Sequence, residues 1–127
     1  MVWSEQGSGA VNLSSPIGVL WVRRGSEAGF GLPRGVETVL SDGAGKSLDF
    51  VKGSARTRVV WGQRYGAHPV VLSGAIGRAW LGNGGIGGWG YPLGGEVPMR
   101  GKVVQRFSSG AIAEWDTVSK VLRVRRS

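Results

Sequence analysis

Cysteine is absent from the 127 residues, which excludes disulfides and thiolate metal sites. His68 is the only histidine, so no zinc ligand set is available, and neither metal nor cofactor is expected. No apolar run approaches the roughly 18 residues needed to cross a bilayer. The opening stretch, MVWSEQGSGA, has neither the basic n-region nor the apolar core of a secretory signal. It reads as a chain made in a cytoplasm and released by another route, or as a piece cut from a longer protein. Acid is scarce too: 8 aspartates and glutamates stand against 16 lysines and arginines, a net charge of +8 with a pI near 11.1. Such a balance favours polyanionic partners, whether nucleic acid, an anionic surface or an envelope polymer.

Glycine, by contrast, is abundant: 24 residues, well above the usual share of about 7%. The densest stretch is GGIGGWGYPLGGE, Gly84 to Glu96, where two large rings sit among the glycines. It has an earlier copy, GSEAGFGLPRGVE, Gly25 to Glu37. At a spacing of 59 the match runs without a gap from Ile17/Ile76 to Glu37/Glu96, with nine of 21 positions identical. A repeated tryptophan accompanies it: VVW at Val59–Trp61 echoes MVW at Met1–Trp3, and Trp115 follows later. DFVKG at Asp49–Gly53 likewise echoes RFSSG at Arg106–Gly110. This self-similarity divides the chain into unit one (1–58), unit two (59–113) and the start of a third unit (114–127), within one domain spanning 1–127.

Each unit reads as strand–turn–strand, short helix, glycine–aromatic loop and strand, a β-rich α+β repeat. In unit one Ser15 is placed to cap the helix, Pro16 to open it and Gly25 to end it. In unit two Ser73 is expected to cap and Asn83–Gly85 to stop the helix. Ile17, Leu20 and Trp21 fall on one helical face, and Ile76 and Trp80 repeat it. Trp3, Trp21, Trp61, Trp80 and Trp115 recur with the units and are expected in the core, since repeats bury a face on their neighbours. The glycines allow a tight loop to fold its ring against its own unit.

These residues resemble the LGFP repeat family, whose units carry a leucine–glycine–aromatic–proline core followed by glutamate. Here the core is GFGLP with Glu37 and GWGYP with Glu96, flanked by GAH at Gly66–His68, GAI at Gly74–Ile76 and the set Gln105, Phe107 and Gly110. The tetrapeptide is not literal in either unit, and Leu48 stands where unit two has Gln105. The resemblance implies a non-catalytic cell-wall-binding module of mycolic-acid actinobacteria. It would deliver an attached endolysin (of a phage, for example) or a mycoloyltransferase to arabinogalactan or another peptidoglycan-linked polymer. It also implies units packed radially, propeller-like, so that two units and a piece would need a longer array or a homo-oligomer to complete a ring.

No catalytic constellation is visible. His68 lies beside Pro69 and reads as a turn residue bonding backbone. Glu37 and Glu96 are repeat equivalents, each placed to brace its glycine loop, whereas a glycosidase needs two carboxylates facing one bond. Glu114 and Asp116 flank Trp115 on one strand face, suited to a hydroxyl or an arginine. GAGK at Gly43–Lys46 lacks the spacing of a phosphate loop. For sugar binding the candidate platforms are Trp89, Tyr91 and Tyr65, with Glu96, Arg100 and Arg106 reading hydroxyls or charge. Arg100, Lys102 and Arg106 are expected to share one strand face. The alternatives are a basic nucleic-acid-binding domain, disfavoured because no helix-turn-helix, zinc finger or RNP-like strand is present, and a purely structural assembly module.

Overall fold

The computed structural model describes the backbone of residues 2–3 and the whole of residues 9–126. A short antiparallel pair, β1 (Val2–Trp3) and β2 (Ala10–Val11), leads into helix α1 (Pro16–Arg23). Four strands follow as one antiparallel meander: β3 (Leu32–Val39), β4 (Lys46–Lys52), β5 (Ala55–Gly62) and β6 (Gly66–Val71). Helix α2 (Ala75–Gly82) comes next. A second meander closes the chain: β7 (Val97–Met99), β8 (Lys102–Arg106), β9 (Ala111–Asp116) and β10 (Val121–Arg126). The described residues are thus β-rich, with two four-stranded antiparallel sheets, the short β1–β2 pair and two α-helices.

The helix starts differ for a local reason. Ser15 caps α1 by accepting from the Gly18 amide, with Pro16 at the first position. At α2 the cap is Gly74, which brings no side-chain bond. Ser73 stands one residue too early, and its hydroxyl accepts from the Arg56 amide instead. Both helices end as the glycines dictate, with Gly25 and Gly84 in the left-handed region. Each is followed by a 3-10 turn, at 26–28 and 85–87.

Two cores result. Val11, Ile17, Trp21, Leu48, Phe50 and Val59 form the first, beneath α1. Val60, Val70, Ile76, Trp80, Trp89, Phe107 and Ala113 lead the second, around α2. Because Cβ atoms alternate along a strand, Val59 faces one core and Val60 the other. The first sheet is therefore a shared wall, with α1 against one face and α2 against the other. Trp61 and Trp115 pack partly buried at the core margins, and Trp21 and Trp80 are buried. The expectation for the Trp3 ring lies outside the described residues.

Two of the hairpins expected to open a unit instead complete the preceding sheet, whereas β1 and β2 pair only with each other. β5 and β6 pair onto β4, and β9 and β10 pair onto β8. The strands β3 and β7 were not anticipated. Both are edge strands interrupted by proline or glycine, the composition an edge tolerates.

Candidate functional site

The glycine–aromatic loops are built the same way twice. Trp21 Nε1 donates to the Gly31 carbonyl at 2.9 Å, and Trp80 Nε1 to the Gly90 carbonyl at 3.0 Å, both buried. The loop backbone thus satisfies the indole of its own helix. A Cβ on Gly88 would lie 1.5 Å from the Asn83 oxygen, and one on Gly29 1.8 Å from the Arg24 oxygen. Close approach, and not flexibility, is what these glycines supply. Trp89 turns inward: it is 5% exposed and meets Phe107 with ring centroids 5.3 Å apart. Neither of its faces is open to a ligand; it anchors the loop.

Tyr91 leaves the same loop toward the first sheet. Its ring lies against Gly45 and Gly62, where any Cβ would collide with it, and stacks on Tyr65 at 5.2 Å. Its hydroxyl donates to Asp42. Burial, then the Asp42 carboxylate, pushes the phenol up to about 12. The Tyr91 hydroxyl first, and the Ala44 and Gly45 amides after it, hold Asp42 below the usual carboxylate range. Tyr91 therefore joins unit two to the strand turns of unit one, and only part of the Tyr65–Tyr91 pair meets solvent.

The other candidates gather along the second sheet. Arg106 lines a groove of about 170 Å³ beside Leu93, Val97, Met99 and Val104. Arg100 occupies the tight turn after β7, at φ 36°. Lys102 and Arg106 do share a face of β8, but Arg100 lies outside the strand. Glu96 is half buried, and burial raises its carboxyl. Its equivalent Glu37 accepts from the Ser15 hydroxyl at 2.5 Å. It thereby braces the α1 start and not, as expected, the glycine loop. At the matching place in unit two Gly74 replaces Ser15, so Glu96 has no such donor. His68 is in strand β6, not in a turn, but its Nε2 does meet backbone, the Tyr65 carbonyl at 2.6 Å. Glu114 pairs with Arg125 at 2.9 Å.

Sequence reasoning missed the role of Gln105. It is 1% exposed, and its amide donates to the Pro69 and Gly94 carbonyls, each at 2.9 Å. It ties β8 to β6 of the first sheet and to the loop. Its Oε1 has no partner among the described residues. The substitution for Leu48 at the equivalent place was the available signal.

A β-rich protein with two cores, each beneath a short helix, is what this architecture defines. Residues 30–88 match the LGFP repeat, a span that begins in one glycine–aromatic loop, takes in the whole first sheet and α2, and ends in the next loop. LGFP repeats are a non-catalytic repeat family associated with cell-wall proteins. No curated protein matches the chain. No helix among the described residues is long and apolar enough to cross a membrane.

Proposed function

We propose that this chain is a wall-binding module that holds an attached lytic or envelope enzyme on an actinobacterial cell wall, with arabinogalactan as the polymer bound. The LGFP match over residues 30–88 carries the reading. The net charge of +8 supports it through long-range attraction to an acidic envelope, screened beyond about 8–10 Å. The stacked Tyr65–Tyr91 pair supplies the aromatic surface such a ligand would meet, with Glu96, Arg100 and Arg106 as the polar contacts along the second sheet. Trp89, buried against Phe107, anchors the loop that carries Tyr91. Further units in the parent protein, or further copies of the chain, would continue the packing radially. A phage endolysin is the parent that suits such a module.

Cosedimentation of the chain with purified actinobacterial walls tests this. Walls before and after mild-acid removal of arabinogalactan are compared, at salt up to about 0.5 M, where the screening length falls to a few ångströms. Retention is expected to survive salt and to vanish on stripping. Retention on stripped walls overturns arabinogalactan as the polymer bound; complete loss to salt overturns glycan recognition. In the second case binding to an oligonucleotide with a steep salt slope would identify a nucleic-acid binder instead.

A further inference from the structure

The fold makes a groove at the same place in both sheets. In the first sheet the register of β3 on β4 breaks between Arg34 and Thr38. The gap opens a cleft of about 340 Å³ lined by Arg34, Gly35, Thr38, Ser47, Asp49 and Arg58, among others. The groove of the second sheet lies between Leu93, Gly94, Val97, Val104 and Arg106. The repeat matches five of these wall positions, Arg58 having no counterpart in the second groove. Arg34, Gly35 and Thr38 correspond to Leu93, Gly94 and Val97 at a spacing of 59, and Ser47 and Asp49 to Val104 and Arg106 at 57. One backbone shape is thus lined by polar groups in one unit and mostly by apolar ones in the other.

The polar version has a defined charge arrangement. Arg34, Asp49 and Arg58 are cross-strand neighbours in one row. Asp49 Oδ1 lies 2.7 Å from Arg58 Nε, and Oδ2 lies 3.2 Å from Arg58 Nη2 and 3.1 Å from Arg56 Nη2. One carboxylate thus holds two guanidinium groups in place. Arg34 is exposed across the row, and among the described residues it makes no ion pair. Three cations around one anion leave an excess of positive charge at the cleft. The bulged segment 35–37 does not pair with β4; the Thr38 hydroxyl donates to the Val36 carbonyl across it at 2.9 Å, which leaves the Thr38 oxygen as an acceptor, and Ser47 adds a second hydroxyl to the lining. Guanidinium groups bind carboxylate and phosphate in preference to neutral acceptors, while hydroxyls suit a polyol.

We propose that this cleft seats an acidic sugar, its carboxylate or phosphate on Arg34 and Arg58 and its hydroxyls on the Ser47 hydroxyl and the Thr38 oxygen. This goes beyond the wall-binding reading, on which it rests for the source of the sugar: arabinose and galactose are neutral, so the acidic sugar would be a wall component distinct from arabinogalactan. The test is a titration of the whole chain followed by amide chemical shifts, with sodium glucuronate, glucose 6-phosphate, neutral glucose and inorganic phosphate as separate probes. One or both acidic sugars are expected to shift the amides of residues 34–38, 47–49 and 58, and which of them binds identifies the acid. Glucose is expected to leave these amides unmoved, and inorganic phosphate to act more weakly than the sugars. Arg34→Gln should weaken binding at least about tenfold, the loss of one charge-assisted bond. Leu93→Gln, in the apolar groove, should leave it unchanged. Shifts spread evenly to Arg123 and Arg125, phosphate as effective as the sugars, or unaltered binding by Arg34→Gln each overturn the proposal. The two readings fail separately. Acidic sugars bound in the cleft by a chain that ignores walls would sink the wall reading alone. Wall binding without any shift in the cleft would sink the cleft alone.

Discussion

Tyr91 is held by contacts that its ionisation would break. Its folded pKa is raised above the ordinary tyrosine value to about 12. The stability it contributes is therefore complete below pH of about 10 and lost as pH climbs through the folded value. Asp42 runs the other way: its pKa is lowered, so its contribution is present above the unfolded value and lost as pH falls through the folded one. The chain has two tyrosines, so a Tyr65→Phe variant leaves Tyr91 as the only phenol. Its tyrosinate absorbance is expected to rise near pH 12, and a midpoint at the ordinary value of about 10 would remove the Asp42 contact from the account. Gln105 makes a different kind of demand. Leucine at this place, as in unit one, would leave the Pro69 and Gly94 carbonyls without their donor. Gln105→Leu is expected to cost about 1–3 kcal/mol in urea unfolding, despite the added apolar surface.

At the scale of the elements, the two helices offer matched experiments. Gly74→Ser restores at α2 the cap that Ser15 gives α1; the position has room, with its nearest neighbour 3.5 Å from a new Cβ. A gain of a few tenths of a kcal/mol follows from the cap alone. The new hydroxyl should also donate to Glu96 and bring its raised carboxyl back toward the ordinary range, which a carboxyl-carbon titration reads. In the loop, Gly88→Ala meets backbone at 1.5 Å, whereas a Cβ on Gly87 meets nothing within 4 Å. The first is expected to cost about 3 kcal/mol and the second to be neutral, by thermal unfolding of both. The helices, their tryptophan faces and the need for glycine at 29 and 88 were legible in the sequence. Periodicity and self-identity are local signals. β3 and β7 were not, because Pro33, Gly35 and Pro98 break the alternation that marks a strand, and only their edge position makes them acceptable. The cleft was equally hidden: it arises from a register break between two strands, which no single segment records. Aromatic platforms and core aromatics were inseparable for the same reason. Trp89 and Tyr91 sit two residues apart in one loop, yet one enters its own core and the other crosses to the neighbouring sheet.

The molecule as a whole turns on β5. Val59 and Val60 are both fully buried, yet they belong to different cores. In a repeat array, stability is the sum of unit terms and nearest-neighbour interfaces, and cooperativity depends on the interfaces. Here the interface is a strand that both cores require, reinforced by Tyr91 on Asp42 and by Gln105 on Pro69. Loss of either core exposes one face of the same sheet. Val59→Ala and Val60→Ala are therefore expected to destabilise by similar amounts, about 2 kcal/mol each, and each to unfold in one transition. The probes are the assigned indole N–H resonances of Trp21 in the first core and Trp80 in the second, each followed by its own signal among the six tryptophans. Coincident urea transitions for both reporters in both valine variants would establish the shared sheet as the coupling element. If Val60→Ala melted the Trp80 core while the Trp21 core stayed folded, the units would be independent, and the contacts of Tyr91 and Gln105 would be too weak to bind them into one cooperative body.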